Sequence, residues 1–509
     1  MTYMFERSFT FQSPEETEQF AQNVSLWARP GQLILLEGDL GSGKSTFARA
    51  LIKSLSKDDD QFDIPSPSFS LVQTYDNTRV AVAHIDLYRL TDPSQVSELG
   101  ISELLAQHLV VVEWPKLLPH DLTGPTLKLH FSGSGTIRMV KLTGDGAWAD
   151  LLNRNKQIED FLSATAWRGS KRKFLEGDAS SRRYETVYLN GKSSILMDMP
   201  QKPDGPPVKD GKPYSAIAHL AEGISAVIAI NKNLHDMGYS APTIETYDLD
   251  HGLAVIENLG ELVYGAMMKN GAAMEIPMKA AVALLADMAV KTWPTEVKIN
   301  TTQTHFVPRY DVEAQLIEVD LLVSWFWPYS LGNTAEDHLH RSFADIWRKL
   351  LPLTHPQKPH WVLRDFHSPN LIWIPEREGL KRVGLIDTQD CLLGHPAYDL
   401  ASFIQDARID ISAPMAEELF SHYVDLRIEQ GHFDQKEFET AYAILGAQRA
   451  TKILGIFARL AKRDGKRGYL QHMPRVSRYL AKNLDHPALG ELKLWFQTHM
   501  PSALRVGHA

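Results

Sequence analysis

The sequence predicts an α/β domain followed by a two-lobed α+β domain, and three observations lead to this prediction. With 509 residues, the chain is longer than a single hydrophobic core usually grows. A glycine-rich loop, GDLGSGKS at 38–45, follows an apolar run, and predicted strands and helices then alternate up to residue 145. Far downstream, a second set of phosphate-handling residues, Asp365, Asn370 and Asp387, lies in a mostly helical region. One active site cannot hold both sets, so we interpret the chain as two nucleotide-using modules.

Composition and charge exclude several classes of protein. The net charge of −9 gives no overall attraction to nucleic acid or anionic lipid, so any role with RNA should run through partner proteins. The single cysteine, Cys391, excludes an internal disulfide and a cysteine-based zinc cluster. No run approaches 18 apolar residues, and the N-terminus lacks a continuous apolar stretch, so we expect a cytoplasmic protein without a membrane-spanning helix.

We predict a first domain over residues 1–148, a helical and basic connector over 149–170, and a second domain over 171–500. The basic run at 168–173 is interpreted as a solvated linker in preference to an RNA-binding segment. In the first domain we expect strands at 33–36, 80–85, 109–112, 127–131 and 137–142, and helices at 47–55 and 94–107. The second domain begins with a β-rich small lobe to about 258. Its helical lobe follows, with helices at 276–293, 311–326, 335–351, 413–430, 436–462 and 475–483.

The first motif predicts an α/β P-loop NTPase domain. The sequence GDLGSGKS matches G-x-x-x-x-G-K-[ST], and it stands after a predicted strand and before a predicted helix, as that pattern requires. Glycines let backbone N–H groups close around phosphates, and the start of the helix adds positive potential. We expect Lys44 to pair with the β- and γ-phosphates of ATP and Ser45 to bind Mg²⁺. The nucleotide-binding residues of this loop are Gly38, Gly41, Ser42, Gly43, Lys44 and Ser45.

Two carboxylates follow predicted strands of the same domain. Asp86 ends the second strand, within the sequence HIDLYR, and Glu113 ends the third. Beside a P-loop, a carboxylate at the carboxyl end of a strand can bind Mg²⁺ or its water, or orient the attacking water. Taken alone, Asp86 could equally cap a turn and Trp114 could be a packing residue. The interpretation of these residues as part of a nucleotide site therefore depends on their order along the chain after the P-loop.

With these residues, positions 1 to about 145 resemble the ATPase subunit of the bacterial machinery that makes N6-threonylcarbamoyladenosine in tRNA. The matching segments are GDLGSGKST at 38–46, SPSF at 66–69, HIDLYRL at 84–90, ELG at 98–100 and VEW at 112–114. The resemblance implies a P-loop ATPase that is weak alone and acts with two partner subunits of a threonylcarbamoyl-transferase complex. It would meet tRNA only through them. It also implies that Thr46 joins Lys44 and Ser45 at the phosphates and Mg²⁺, and that Asp86 and Glu113 serve the metal or the water. Which carboxylate is the direct ligand stays open.

Two further features bear on this resemblance. The family usually has threonine where this chain has Ser68, and because the hydroxyl is kept we expect little change. The rival interpretation is a stand-alone nucleotide kinase, which usually carries an arginine-rich lid. No such insertion occurs between residues 91 and 125, so we prefer the partner-dependent ATPase.

The downstream motif predicts a protein-kinase-like domain. Asp365 and Asn370 are five residues apart in the sequence LRDFHSPNLIW, which is the spacing of a kinase catalytic loop. Asp387 ends the next apolar strand, where a metal-binding aspartate belongs. We expect Asp365 to accept the proton of the acceptor hydroxyl as the catalytic base, and Asn370 and Asp387 to bind Mg²⁺.

Two upstream segments are candidates for nucleotide binding by the second module. The sequence GDASSRRY at 177–184 occupies the place of the phosphate-covering loop, where Ser180, Arg182 and Arg183 could donate to phosphate. The two arginines could equally be surface charges. The run VIENLG at 255–260 is interpreted as the hinge, where the backbone around Glu257 and Leu259 would bind adenine.

Residues 158 to about 500 resemble the aminoglycoside-phosphotransferase-like kinases. Within them they are most similar to the anomeric sugar kinases of cell-wall recycling, through GDASSRRY at 177–184, LMDMP at 196–200, LRDFHSPNLIW at 363–373, LIDTQD at 385–390 and further segments down to residue 466. That resemblance implies ATP-dependent phosphorylation of N-acetylmuramate or N-acetylglucosamine at the 1-hydroxyl. Aminoglycoside- and choline-type kinases are alternatives within the same fold.

Two departures from the kinase pattern leave a further alternative open. The strand that normally carries a phosphate-pairing lysine has the sequence ILMD at 195–198, so another cation, Arg182 or Arg183, would have to replace it. Leu363 stands where a histidine usually precedes the arginine of the catalytic loop. The rival is therefore a pseudokinase that binds nucleotide or partners without phosphoryl transfer. The intact catalytic set and the Met-Asp pattern shared with the resembling subfamily oppose it.

Overall fold

The computed structural model of the protein describes residues 4–56, 64–119, 122–133, 135–175, 182–201, 205–356 and 358–504. Within this part of the chain, no helix is long and apolar enough to cross a membrane. The chain forms two compact units, Met1–Leu196 and Met197–Ala509. The predicted connector at 149–170 falls inside the first unit, and the predicted domain limits stay predictions.

The first unit is built around a mixed seven-stranded sheet with the order β1-β7-β6-β2-β5-β4-β3. The pairs β6–β2, β2–β5 and β5–β4 are parallel, whereas the pairs β1–β7, β7–β6 and β4–β3 are antiparallel. The strands of the unit are β1 (Met4–Phe11), β2 (Leu33–Gly38), β3 (Val72–Tyr75), β4 (Val82–Asp86), β5 (Leu109–Glu113), β6 (Thr126–Ser132), β7 (Arg138–Asp145), β8 (Lys171–Leu175), β9 (Arg183–Leu189) and β10 (Lys192–Asp198), in which the division falls. Its helices are α1 (Pro14–Ser25), α2 (Lys44–Leu55), α3 (Pro93–Ser97), α4 (Ile101–Leu105) and α5 (Ala147–Ser163).

The buried central strands explain how the first motif is positioned. Strands β4 and β5 are buried along their whole length, which is why their sequences are continuous apolar runs. The carboxyl ends of parallel strands meet at one edge, so Asp86 stands in register with Glu113, and Glu113 stands next to the end of β2. The predicted strands are confirmed. The predicted single helix at 94–107 is wrong, because Gly100, with φ of +61°, separates α3 from α4.

The predicted connector is a helix that leads into strands of the same unit. Strand β8, which contains part of the basic run, pairs antiparallel with β9. The interpretation of this run as a solvated linker is wrong for Arg172. Its side chain is buried and donates to both carboxylate oxygens of Glu185, at 2.6 and 3.0 Å, and to Asn155 of α5 at 2.7 Å. This hydrogen-bonded ion pair fixes the β8–β9 hairpin against α5.

Further contacts join the β8–β9 hairpin to the P-loop domain. Trp27 donates from its indole nitrogen to Asn155 at 3.1 Å. The guanidinium of Arg183 lies 3.6 Å from the centre of the Trp27 ring and donates to the carbonyl oxygen of Leu26 at 2.9 Å. The guanidinium of Arg79 lies 4.1 Å from the centre of the Phe174 ring. Both strands next to the predicted phosphate-covering loop are therefore packed on the P-loop domain.

The second unit consists of short hairpins and a large set of helices. Its strands are β11 (Pro207–Lys209), β12 (Lys212–Pro213), β13 (Ile244–Asp248), β14 (Leu253–Glu257), β15 (Glu296–Lys298), β16 (Thr304–Phe306), β17 (His360–Val362), β18 (Leu371–Trp373), β19 (Val383–Leu385) and β20 (Leu392–Gly394). Its helices are α6 (Tyr214–Ile217), α7 (Ile224–Asp236), α8 (Tyr264–Lys269), α9 (Glu275–Met288), α10 (Val312–Leu321), α11 (Trp327–Leu331), α12 (Asp337–Leu350), α13 (Ala397–Ile404), α14 (Ala413–Glu429), α15 (Gln435–Arg463), α16 (Met473–Asn483) and α17 (Gly490–His499).

The helical lobe packs around the long helix α15, whose buried residues include Leu445, Leu454 and Phe457. The six predicted helices of this lobe are confirmed to within a few residues at most ends. The prediction over 311–326 corresponds to α10 followed by a π-helical segment, Leu322–Phe326. Two antiparallel strand pairs position the downstream motif: β17 pairs with β20, and β18 pairs with β19.

Candidate functional sites

The glycine loop at 38–45 has the backbone geometry of a phosphate cradle. Gly38 has φ of +133°, and a Cβ there would lie 2.2 Å from the carbonyl oxygen of Phe131, so only glycine fits. Gly41 and Gly43 also have positive φ angles. Lys44 begins α2, and its buried ammonium donates to the carbonyl oxygens of Gly38 at 2.9 Å and Asp39 at 2.8 Å.

Charge and burial act in opposite directions on Lys44. Burial lowers the pKa of its ammonium below the ordinary value, and the carboxylates of Glu113, Asp86 and Asp39 oppose that shift. The ammonium also lies 3.8 Å from the centre of the Trp114 ring, which gives that residue a contact with the loop. Trp114 therefore contacts the lysine of the loop directly and is not only a packing residue away from the site.

The two predicted carboxylates both act on the charge of Lys44, and each has its own hydrogen-bond partners. Glu113 accepts a hydrogen bond from the Ser45 hydroxyl at 2.7 Å, and its other oxygen lies 3.0 Å from the imidazole of the buried His84. Asp86 accepts from the Ser68 hydroxyl at 2.6 Å and from the backbone N–H of Tyr88 at 2.9 Å. Ser45 and Glu113 are thus in direct contact, whereas Asp86 is hydrogen-bonded to Ser68 of the SPSF segment at 66–69.

The predicted phosphate donors of the second module are only partly described. Ser180 lies outside the described residues. Arg182 is half-buried, and Arg183 is half-buried against Trp27. Arg183 thus has a packing contact, and the choice between phosphate donor and surface charge stays open for both arginines. The binding of phosphate by the two arginines stays a prediction.

Antiparallel pairing brings the predicted metal ligands of the second site together. Asn370 directly precedes β18, Asp387 follows β19 by two residues, and these strands pair Leu371 with Leu385. The backbone N–H of Ile386 donates to the carbonyl oxygen of Asn370 at 3.1 Å. The side chain of Asn370 donates to the backbone oxygen of Asp365 at 3.0 Å. The catalytic loop and the strand end that carries Asp387 are thus held side by side.

Two buried carboxylates from outside the motif hold the backbone of this loop. Asp399 accepts from the backbone N–H groups of Leu363 at 2.7 Å and Arg364 at 3.0 Å. Asp406 accepts from the backbone N–H of Ser368 at 2.8 Å. Burial raises the pKa of Asp399 to about 7, although these backbone hydrogen bonds oppose the shift.

A buried ionic cluster lies directly behind the catalytic loop. Glu318 of α10 accepts from Lys452 at 2.7 Å and from Gln448 at 2.9 Å, both on α15, and it also accepts from Arg364 and Tyr310. Burial alone would raise the pKa of Glu318, but the charges of Lys452 and Arg364 prevail and lower it to about 2. The side chain that precedes Asp365 is therefore committed to the protein interior.

The electrostatic environment keeps Asp365 ionised. Desolvation raises its pKa, but interactions with His367, Lys452, Arg364 and Arg449 lower it below the ordinary value. Burial lowers the pKa of His367 to about 4, so near neutral pH the positive charges are those of Lys452, Arg364 and Arg449. An ionised carboxylate is the form that can accept a proton.

The side chains of the predicted hinge are structural. The carboxylate of Glu257 accepts from Arg377 at 2.5 Å and from the hydroxyl of Thr243 at 3.1 Å. Leu259 is buried in a small apolar cluster with Ile372 and Ile374. Adenine binding by the backbone of this segment stays a prediction.

The donor atoms present fit magnesium at both sites. Among the described residues, no group of three or more His, Cys, Asp or Glu side chains could form a metal cage. Mg²⁺ is usually bound by one or two oxygen ligands of the protein together with substrate phosphates. The pair Ser45 and Glu113, and the pair Asn370 and Asp387, supply such oxygens.

Comparisons with known proteins agree with this division of the chain. Residues 11–139 match the family described as threonylcarbamoyl adenosine biosynthesis protein TsaE, and residues 171–432 match the phosphotransferase enzyme family. The N-acetylmuramate/N-acetylglucosamine kinase of Caulobacter vibrioides is 35% identical over 68% of this chain and 96% of its own length. The enzyme of the same name from Pseudomonas putida is 27% identical over 70% of this chain and 95% of its own. The tRNA threonylcarbamoyladenosine biosynthesis protein TsaE of Rickettsia conorii is 38% identical over 24% of this chain and 68% of its own.

The chain belongs to the TsaE family in its first part and to the phosphotransferase enzyme family in its second. The predicted fusion, its fold class and its nature as an ATP-using enzyme are confirmed.

Sequence reasoning missed the residues that support the catalytic loop. Asp399 and Asp406 follow the motif by more than thirty residues, and Glu318 precedes it by more than forty. A charged residue on the apolar face of a predicted helix was the available signal. Glu318 lies four residues after the buried Ala314 and three before the buried Leu321 on α10, where a hydrophobic residue is expected.

Proposed function

We propose that this protein is bifunctional, with an ATPase that supports formation of N6-threonylcarbamoyladenosine in tRNA and an ATP-dependent kinase of amino sugars. The observation that carries the proposal is the presence of two different phosphate-handling sets in one chain, Lys44–Ser45–Glu113 and Asp365–Asn370–Asp387. Both activities are placed in the cytoplasm, where ATP and tRNA are found.

In the kinase, the acceptor is N-acetylmuramate or N-acetylglucosamine, which the names of the relatives supply. The oxygen of the 1-hydroxyl attacks the γ-phosphorus of ATP, the bond from that phosphorus to the β-phosphate oxygen breaks, and ADP leaves. The hydroxyl proton passes to the carboxylate of Asp365. Asn370 and Asp387 would hold Mg²⁺, which neutralises charge on the phosphates.

In the ATPase, Lys44 would leave the carbonyl oxygens of Gly38 and Asp39 for the phosphates. Ser45 and Glu113 would hold Mg²⁺, because their oxygens already lie 2.7 Å apart. Asp86, held by Ser68, would orient the attacking water. This assignment makes Glu113 the carboxylate nearer the metal. Productive turnover requires the subunits of a threonylcarbamoyl-transferase complex, and tRNA is reached only through them.

The test uses the full chain and two substitutions. Asp365→Asn should abolish sugar phosphorylation and leave partner-stimulated ATP turnover intact, and Lys44→Ala should do the reverse. A non-hydrolysable ATP analogue should bind at two molecules per chain. Binding of a single molecule, lost with Lys44→Ala, would refute the two-site account. A wild-type chain that binds two molecules but phosphorylates no sugar would instead support the pseudokinase alternative.

A further inference from the structure

Three cations of the helical lobe act on the catalytic loop, and they differ in what they contact. Arg364 donates to Glu318 and to the carbonyl oxygen of Ala218. Lys452 donates to Glu318 and lies within 3.4 Å of the Tyr398 hydroxyl. Arg449 is different. Its Nε has no hydrogen-bond partner, and no hydrogen bond or ion pair joins its guanidinium to any residue of the described ranges.

Arg449 is nevertheless buried, with 7% of its surface exposed. A buried cation without a hydrogen-bond partner loses its hydration without full compensation, which is unfavourable. Its neighbour on α15, Gln448, is anchored to Glu318 at 2.9 Å, and Lys452 is anchored one turn later. The helix therefore holds Arg449 in place although no direct hydrogen bond or ion pair within the described ranges satisfies its guanidinium.

Arg449 lies on α15 between Gln448 and Lys452, which both donate to Glu318, and Glu318 also binds Arg364, the residue before Asp365. The charge of Arg449 acts on the carboxylates of Asp365 and Asp399 and on the imidazole of His367, which all belong to the catalytic loop or support it. A guanidinium offers planar, paired donors that match the oxygens of a carboxylate or a phosphoryl group.

We propose that Arg449 is a substrate-binding residue that pairs with an anionic oxygen group next to Asp365. Two sources carry this chemistry, the carboxylate of N-acetylmuramate and the phosphoryl group in transfer. The inference deepens the proposed function of the second unit and rests on it. It also supplies a cation near the transferred group from the helical lobe, in a chain whose small-lobe strand lacks the usual lysine.

The first measurement compares the two acceptor sugars. Arg449→Gln should lower kcat/KM for N-acetylmuramate by about 100-fold, the size expected when a charge-assisted contact to a substrate is lost. If the carboxylate is the partner, N-acetylglucosamine should be phosphorylated within about threefold of the wild-type rate. If the phosphoryl group is the partner, both sugars should lose kcat equally. Unchanged kinetics with both sugars would overturn the inference.

Two further measurements separate substrate binding from a structural role. Addition of ethylguanidinium should restore activity to Arg449→Ala, which a variant with a merely damaged fold would not allow. Arg449→Gln should melt at the wild-type temperature or above it, because an unpaired buried charge is removed. The matched variant Lys452→Gln breaks a buried pair and should melt roughly 10 °C lower. A similar loss of melting temperature in both variants would make Arg449 structural.

A last experiment tests the role of Arg449 even if the proposed sugar kinase activity is not found. If the wild-type chain phosphorylates neither sugar, the sugar assignment fails, and inorganic phosphate then serves as the probe. In a Lys44→Ala background, which removes the first phosphate site, phosphate should raise the melting temperature of the second unit. The added substitution Arg449→Gln should abolish that shift, and persistence of the shift would refute the role of Arg449.

Discussion

The two phosphate-handling sites of this chain hold their charged groups in different ways. At the P-loop, Lys44 donates to the carbonyl oxygens of its own loop, five and six residues away. At the catalytic loop, Arg364 pairs with Glu318, 46 residues away, and the loop backbone donates to Asp399, 36 residues away. The first site thus depends on local backbone conformation, and the second depends on buried charges brought from distant helices. Each should therefore fail under a different kind of substitution.

The largest effect on enzymatic turnover is expected from a single methyl group added in the P-loop. In Gly38→Ala, the new Cβ would meet the Phe131 carbonyl oxygen at 2.2 Å, so the loop must move. We expect partner-stimulated ATP turnover to fall by ~100-fold or more, which corresponds to roughly 3 kcal/mol of transition-state stabilisation. Gly41→Ala is the control, because no atom lies within 4 Å of its Cβ and only the strain of a positive φ is added. Equal losses in the two variants would contradict the steric explanation.

The second site should be more sensitive to charge than to shape. Glu318→Gln keeps the size of the side chain but leaves Arg364 and Lys452 without their carboxylate. We expect a loss of about 3–5 kcal/mol in the free energy of unfolding, measured by urea denaturation of the full chain. Glu313→Gln, on the same helix, removes an exposed ion pair with Lys209 and should cost less than about 1 kcal/mol. A comparable loss in the two variants would show that burial does not set the importance of the pair.

The pH dependence of stability tests Asp399. Its pKa of about 7 in the folded chain lies above its ordinary value of 3.8, so the folded form binds the proton more tightly. The contribution of this group is fully present below pH 3.8 and is lost as the pH rises towards 7. Between pH 5 and 7, the wild-type chain should lose about 2–3 kcal/mol of stability that Asp399→Asn does not lose. Parallel stability curves for the two proteins would contradict this.

The smallest effect concerns Ser68, where the resemblance described above leads us to expect a threonine. Its hydroxyl donates to Asp86 at 2.6 Å, and a threonine hydroxyl can make the same bond. ATP turnover of Ser68→Thr should stay within about twofold of wild type, whereas Ser68→Ala should lose roughly tenfold, the size of one hydrogen bond to a charged group. Equal turnover in the two variants would show that the hydrogen bond from Ser68 to Asp86 does not contribute to ATP turnover.

The same contrast explains what the sequence could predict. The P-loop and the two strand-end carboxylates follow from short segments, because parallel strands deliver their ends to one edge of a sheet. The second site could also be predicted from the spacing of Asp365, Asn370 and Asp387. Asn370 and Asp387 flank the β18–β19 hairpin, and Asp365 lies five residues before Asn370. The burial of Arg172 was not predictable from its basic run, since its partners are fixed only when β8 packs on α5. For the same reason, the pairing of Glu318 with α15 required the tertiary structure.

The stacking of Arg183 on Trp27 has a consequence for the evolution of the fusion. Trp27 has no assigned part in either reaction, yet it contacts Arg183 at the start of β9, the strand that follows the segment predicted to cover the phosphates of the second module. We therefore expect a substitution of Trp27 to affect both activities of the chain. Such a double effect would constrain the evolution of this position more than in a separate polypeptide.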